Sequence, residues 1–151
     1  GNFLATTLDI NIVFSFLGLV IGSVLFSFPF MVNPIRAGLE SLPPSLMEAS
    51  YTLGKSRWET LLKVVLPNIK PSLLTGIVMA FAHTVGEFGV VLMLGGSIPG
   101  QTRTVSIAIF SEVEALNYAT ASVYSGILFV ISFAVLFILN IINKKWLSVF
   151  R

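Results

Sequence analysis

ATASVYSGILFVISFAVLFILNII, from Ala119 to Ile142, carries no charged side chain. It is longer than the roughly 20 residues that a helix needs to cross a bilayer core. A segment hydrophobic on every side belongs in lipid, where a helix satisfies its backbone internally. Two further stretches pass the same length test. The one from Ile10 to Val32 is uncharged, and the one from Ser72 to Leu94 is broken only by His83 and Glu87. The expectation is an all-α, polytopic membrane helical bundle with spans at about 10–32, 72–94 and 119–142.

Composition agrees. Of 151 residues, 55% are hydrophobic and 11% are charged, against roughly a quarter charged in a soluble domain. A surface so poor in charge has to face lipid. The net charge of +2 argues against a polyanionic partner, so no nucleic acid is expected. The absence of cysteine excludes thiolate metal sites, disulfides and thiol catalysis. No cofactor or metal is expected. The chain opens on Gly1 without a basic leader, and the expectation is the C-terminal part of a longer protein, about three spans of a larger set.

Charges in the connections set the orientation. Arg36, Lys55, Arg57, Lys63 and Lys70 lie within 33–71, and Lys144, Lys145 and Arg151 follow the last span. The connection at 95–118 has only Arg103, beside Glu112 and Glu114. Basic residues collect on the cytoplasmic side, which places 33–71 and the C-terminus there. Trp146, with Lys144 and Lys145, reads as an interfacial anchor. Trp58 suits an interface or the inside of the loop. Small residues spaced four apart, Gly18/Gly22, Gly76/Ala80 and Ala82/Gly86, mark faces where helix backbones can approach.

The loop at 33–71 is too long for a plain connector. Pro43-Pro44 ends what precedes it. Ser45 to Glu48 reads as a capping box that opens a short helix to about Leu53, with Gly54 as its stop. Ser56 to Glu59 is a second capping box, opening a helix towards Leu66-Pro67. Two short helices joined at a glycine make an elbow. The alternative is an ordinary amphipathic helix on the membrane surface.

The stretch EASYTLGKSRWETLLKVVLP, Glu48 to Pro67, resembles the EAA loop of ABC-importer permeases, with Glu48, Ala49, Ser50, Gly54, Val64, Leu66 and Pro67 in the matching places. Ser50 stands where alanine is commonest. The resemblance implies a type I importer transmembrane subunit, here an N-terminally truncated permease domain spanning 1–151. Its coupling helix would seat on a separate ATP-binding cassette ATPase, with Tyr51 or Leu46 as pocket-filling anchors. Phe81 to Phe110, FAHTVGEFGVVLMLGGSIPGQTRTVSIAIF, resembles molybdate-importer permeases at Gly86-Glu87-Phe88-Gly89, Ile98-Pro99-Gly100 and Thr102-Arg103-Thr104. FPFMVNPIRAGLESL, residues 28–42, looks like the approach to the coupling loop in the same family. Sulfate permeases share several of these elements, and tungstate is nearly the same size and charge as molybdate.

What the resemblance implies is a permease of the bacterial inner membrane, paired as a homodimer and embedded in lipid. Two ATPase subunits would sit below it, and a periplasmic or lipoprotein substrate-binding protein above. The chain has no GxxxxGK[ST] phosphate loop, so it is not expected to hydrolyse ATP, and no enzymatic activity is expected.

His83 and Glu87 stand one helical turn apart and can touch. They are read as a polar tie or gate. Two ligands make a weak metal site, and an ionised carboxylate would repel a dianion. Arg103 reads as an outer-face contact for the binding protein or the anion, or as a loop charge paired with Glu112 or Glu114. Thr102 to Val113 reads as a short helix at the outer face. The rival from another class is an ion-coupled secondary transporter with His83 and Glu87 carrying protons. A membrane enzyme has too few chemical groups here.

Overall fold

The computed structural model describes residues 13–148, with side chains to Ile142. The first residues of the expected span at 10–32 lie outside the described residues, as does Arg151, and the side chains of Lys144, Lys145 and Trp146 lie outside the described side chains. Every described element is helical. In chain order they are α1 (Phe16–Glu40), α2 (Pro44–Thr52), α3 (Arg57–Thr60), a π-helical stretch (Leu61–Val65), α4 (Leu66–Asn68), α5 (Lys70–Gly86), α6 (Gly89–Gly95), α7 (Val105–Glu114) and α8 (Tyr118–Ser148).

Among the described residues, α1 and α8 are each long and apolar enough to cross a membrane, and the bent pair Arg57–Asn68 and Lys70–Gly86 makes up to three. Helix α1 runs on past Val32 to Glu40 and contains Pro29 and Pro34. Proline is tolerated in lipid-buried helices where neighbours satisfy the freed carbonyls. The apolar stretch of α8 is not buried within the protein, and Phe129, Val130 and Phe133 are exposed, as suits lipid or a neighbouring helix.

The stretch expected as one span at 72–94 is divided. Helix α5 ends at Gly86, Glu87 and Phe88 are non-helical, and α6 begins at Gly89. Glycines on both sides of Glu87 favour the break, because each carries a high helical entropy cost.

The bend of 69° ahead of α5 also has a local cause. Pro67 cannot donate to the carbonyl four residues back, and its ring crowds that carbonyl. The chain widens into the π stretch just before it. The Asn68 side-chain amide donates to the Val64 carbonyl at 2.7 Å. Pro71 then falls in the first turn of α5, where a missing N–H costs nothing.

The chain divides into two compact units. The first joins residues up to Ser27 with 82–135, and its interior holds Val91, Thr102, Ile107 and Ala121. Gly22 of α1 sits against Leu94, so a β-carbon there would collide with that side chain. The second unit joins 28–81 with the residues from Leu136 onward. In it, a β-carbon on Gly76 would lie 2.9 Å from the Met31 carbonyl oxygen, and one on Gly38 would crowd Ser72. Of the small-residue pairs, Gly22 and Gly76 therefore mark close approaches. Gly86 does not: a β-carbon there meets nothing within 4 Å.

Candidate functional site

The elbow at 44–68 lies within the second unit. Helix α2 starts two residues earlier than a box capped by Ser45 requires. Its N-cap is Pro43 in extended backbone, and no side chain caps it. The expected capping box there is corrected: Pro44 takes the first helical position, where its fixed φ is already helical and its missing N–H is harmless.

At the other end, the Gly54 amide donates to Tyr51 O at 2.9 Å and the Lys55 amide to Ser50 O at 3.1 Å. That pair of bonds is a Schellman closure, and Gly54 holds the left-handed conformation it needs, with φ +75°. Gly54→Ala is expected to cost about 1 kcal/mol in local stability, through the strain of a β-carbon in that conformation. Faster amide hydrogen exchange at Leu53–Lys55, with exchange in α1 unchanged, is the check.

The second capping box forms as expected. Ser56 Oγ accepts from the Glu59 amide at 3.3 Å, and Glu59 Oε2 accepts from the Ser56 amide at 3.3 Å. Glu59 Oε1 also accepts from Lys63 Nζ at 3.0 Å, with Lys55 Nζ at 3.8 Å. The hydrogen bond from Lys63, with the Ser56 amide, holds the Glu59 carboxyl below the usual carboxylate range.

What joins the two arms is a bond that sequence reasoning did not find. Ser50 Oγ and Thr60 Oγ1 lie 2.8 Å apart, with Ser50 5% and Thr60 2% exposed. Ser50 is thus turned into the elbow, and it is Glu48, Ala49 and Tyr51 that are exposed. Leu66 and Pro67 are half-buried. Leu53 and Trp58 are 79% and 74% exposed, so Trp58 does not pack inside. Met47, Tyr51, Leu53, Trp58 and Leu62 leave the elbow with apolar side chains uncovered among the described residues. A rigid, capped element that presents aromatic and aliphatic anchors is suited to a protein groove.

The other polar cluster lies within the first unit. Ser27 Oγ of α1 is 2.6 Å from Thr84 Oγ1 and 3.3 Å from His83 Nδ1. Glu87 sits at the α5–α6 break. Both its carboxylate oxygens are buried and have no hydrogen-bond partner among the described residues, so the structure does not tie it to His83 by a hydrogen bond. The Glu87 backbone carbonyl accepts from Ser106 Oγ at 3.1 Å, and Phe88 packs on Phe110 with ring centroids 4.4 Å apart. These two contacts hold α7 against the break. Glu87 lines a cavity of about 200 Å³ with Ser23, Thr84, Thr104, Val105 and Ser106.

A short helix expected at 102–113 forms as α7, but it begins three residues later, at Val105, capped by Thr104 Oγ1 accepting from Ile107 N at 3.4 Å. Just ahead of it, the amides of Gln101, Thr102 and Arg103 all turn onto Ile98 O at 3.0–3.1 Å. Thr102 is buried and donates to Gly95 O. Arg103 Nη2 stands 3.9 Å from Glu112 Oε1, the loose pairing that the sequence allowed. No group of three or more metal-ligating side chains occurs among the described residues.

Helices of membrane-crossing length, with an exposed, capped elbow between them in the chain, define a helical membrane protein. The chain belongs to the family of binding-protein-dependent transport system inner membrane components, whose profile matches residues 3–148. It is 47% identical over 126 residues to the molybdenum transport system permease protein ModB of Azotobacter vinelandii, covering 83% of this chain and 56% of that one. It is 34% identical over 146 residues to the sulfate transport system permease protein CysT of Escherichia coli K12, covering 97% and 52%. A probable sulfate transport system permease protein of Chlorella vulgaris is 35% identical over 141 residues, covering 93% and 52%. The chain spans about half the length of the curated relatives it matches. No solved structure matches. The expected family and the membrane-embedded helical fold are both borne out.

Proposed function

We propose that this chain forms the membrane-spanning permease part of an ATP-driven importer that carries molybdate across a bacterial inner membrane. The single observation that carries this reading is the elbow at 44–68. Its arms are joined by a Schellman turn and a buried hydroxyl pair, a capping box closes the start of the second arm, and Tyr51, Leu53 and Trp58 are left uncovered. An element that stiff passes on displacement instead of absorbing it.

In this reading the elbow lies on the cytoplasmic face, as the basic residues of 33–71 and the C-terminal tail favour. An ATPase subunit grips it and a second permease copy completes the pore. A substrate-binding protein delivers the oxyanion from outside. ATP binding draws the ATPases together, the elbow tilts with them, and the attached helices open the pathway outward. Hydrolysis by the partner resets it.

The test uses the full transporter reconstituted with its ATPase and binding protein. Glu48→Ala and Gly54→Val are expected to reduce molybdate-stimulated ATP hydrolysis by about tenfold, in line with the loss of an interface anchor or of its presentation. Unchanged stimulation would count decisively against the elbow as the coupling element.

Sulfate is the second reading, favoured by relatives named for sulfate transport that align over more of this chain than the molybdenum permease does. Competition for uptake among molybdate, tungstate and sulfate separates them. Preference for molybdate over sulfate by at least an order of magnitude is the expected result, and uptake blocked best by sulfate reverses the assignment.

A further inference from the structure

We propose that Arg103 is the exchange partner of Glu87, leaving Glu112 to bind it in a second state of the permease and so acting as a latch beside the α5–α6 break. Three observations within the first unit lead there. The carboxylate of Glu87 is buried with both oxygens unpartnered, a costly arrangement unless a cation or donors reach it in some state. The guanidinium of Arg103 is held loosely, 3.9 Å from Glu112 with side-chain exposures of 34% and 22%, a pairing worth little by itself. Thr104 and Val105 separate the two groups by a thin wall, for they line both the cavity that holds Glu87 and the one that holds Arg103 and Glu112.

The exchange leaves nothing stranded. Glu112 Oε2 also accepts from Asn117 Nδ2 at 2.8 Å, so it keeps a donor when Arg103 departs. The other titratable group near the break, His83, is engaged with Ser27. Ser106, three residues after Arg103, already holds the Glu87 backbone carbonyl at 3.1 Å, which brings the start of α7 onto the break. Fork-shaped guanidinium suits two orphan carboxylate oxygens better than an ammonium does. The physical consequence is two discrete arrangements of the α6–α7 connection: open to Glu112, or closed on Glu87.

The inference rests on the transporter reading only for its readout. The experiment is a charge cycle in the complete reconstituted transporter: Glu87→Gln, Arg103→Gln, the double change, the swap Glu87→Arg with Arg103→Glu, and Glu112→Gln. Each single change at 87 or 103 is expected to lower transport about tenfold, the double change to cost no more than either single one, and the swap to recover most of the loss, as coupled charges do. Cysteines at 87 and 103 are expected to be bridged by a bifunctional maleimide long enough to replace the guanidinium–carboxylate contact in one nucleotide state and not in the other, the span being too great for a direct disulfide. Assembly yield of each variant separates these effects from misfolding.

Additive losses, a swap as inactive as the single variants, or a loss in Glu112→Gln equal to that in Arg103→Gln would each overturn the latch. If the unaltered complex shows no substrate-stimulated hydrolysis, the transporter reading fails instead, and the same charge cycle read as thermal stability in detergent, non-additive for 87 and 103 if they pair and additive if they do not, then decides the latch.

Discussion

Gly76→Val is expected to lower the stability of the permease by about 1–3 kcal/mol, the usual cost of forcing extra carbon atoms into a packed contact. The β-carbon would sit 2.9 Å from the Met31 carbonyl oxygen and 3.0 Å from its sulfur. The sulfur ends a flexible chain and can move. The carbonyl belongs to α1 and cannot, unless the helix does. Thermal unfolding in detergent measures the loss. Two controls make the expectation sharp. Gly86→Ala lies in the same helix, where the new methyl meets nothing within 4 Å, and should leave stability unchanged or raise it. Met31→Ala on the Gly76→Val background removes the sulfur but leaves the backbone oxygen, so it should restore little. Full restoration would show that the backbones do not approach as closely as described.

Thr60→Val is expected to loosen the elbow by about 1–3 kcal/mol, because it strands the buried Ser50 hydroxyl without its partner. The valine keeps the shape of threonine, so the loss isolates the hydrogen bond. Ser50→Ala with Thr60→Val removes both hydroxyls and should be far milder than the single change, since no polar group is left buried and unpaired. Amide hydrogen exchange across 50–61, compared among the three variants, is the measurement. An elbow equally protected in Thr60→Val and in the unaltered chain would mean that the hydroxyl pair does not join its arms.

These two contacts show where reading along the chain stops. Features that depend on a few consecutive residues were legible. The Ser56–Glu59 box forms because donor and acceptor stand three apart, and Gly54 ends α2 because a left-handed turn favours a residue without a β-carbon. Apolar length alone pointed to α1 and α8. The Ser45 box failed on equally local grounds: Pro44 is a better first helical residue than its neighbour, and it shifted the helix start. By contrast, Ser50 stood out only as a small residue where alanine is commonest, because nothing in its neighbourhood reveals a threonine on the next helix turned towards it.

Glu87 shows the same boundary from the other side. Its presence in an apolar stretch marked it as costly, and the one-turn spacing made His83 the natural partner. That spacing has force only while the helix continues. With the helix broken at Gly86, the carboxylate leaves the His83 face and enters a cavity walled by α7, and His83 turns to Ser27. By itself, then, the sequence determined the membrane-length apolar segments, the glycine hinge and the second cap, all products of local backbone preference and of the expulsion of apolar length from water. Only the tertiary structure decided which small residues bring helices together, which hydroxyls meet inside the elbow, and what surrounds Glu87. Those depend on where distant segments come to rest, and short-range preferences do not encode it.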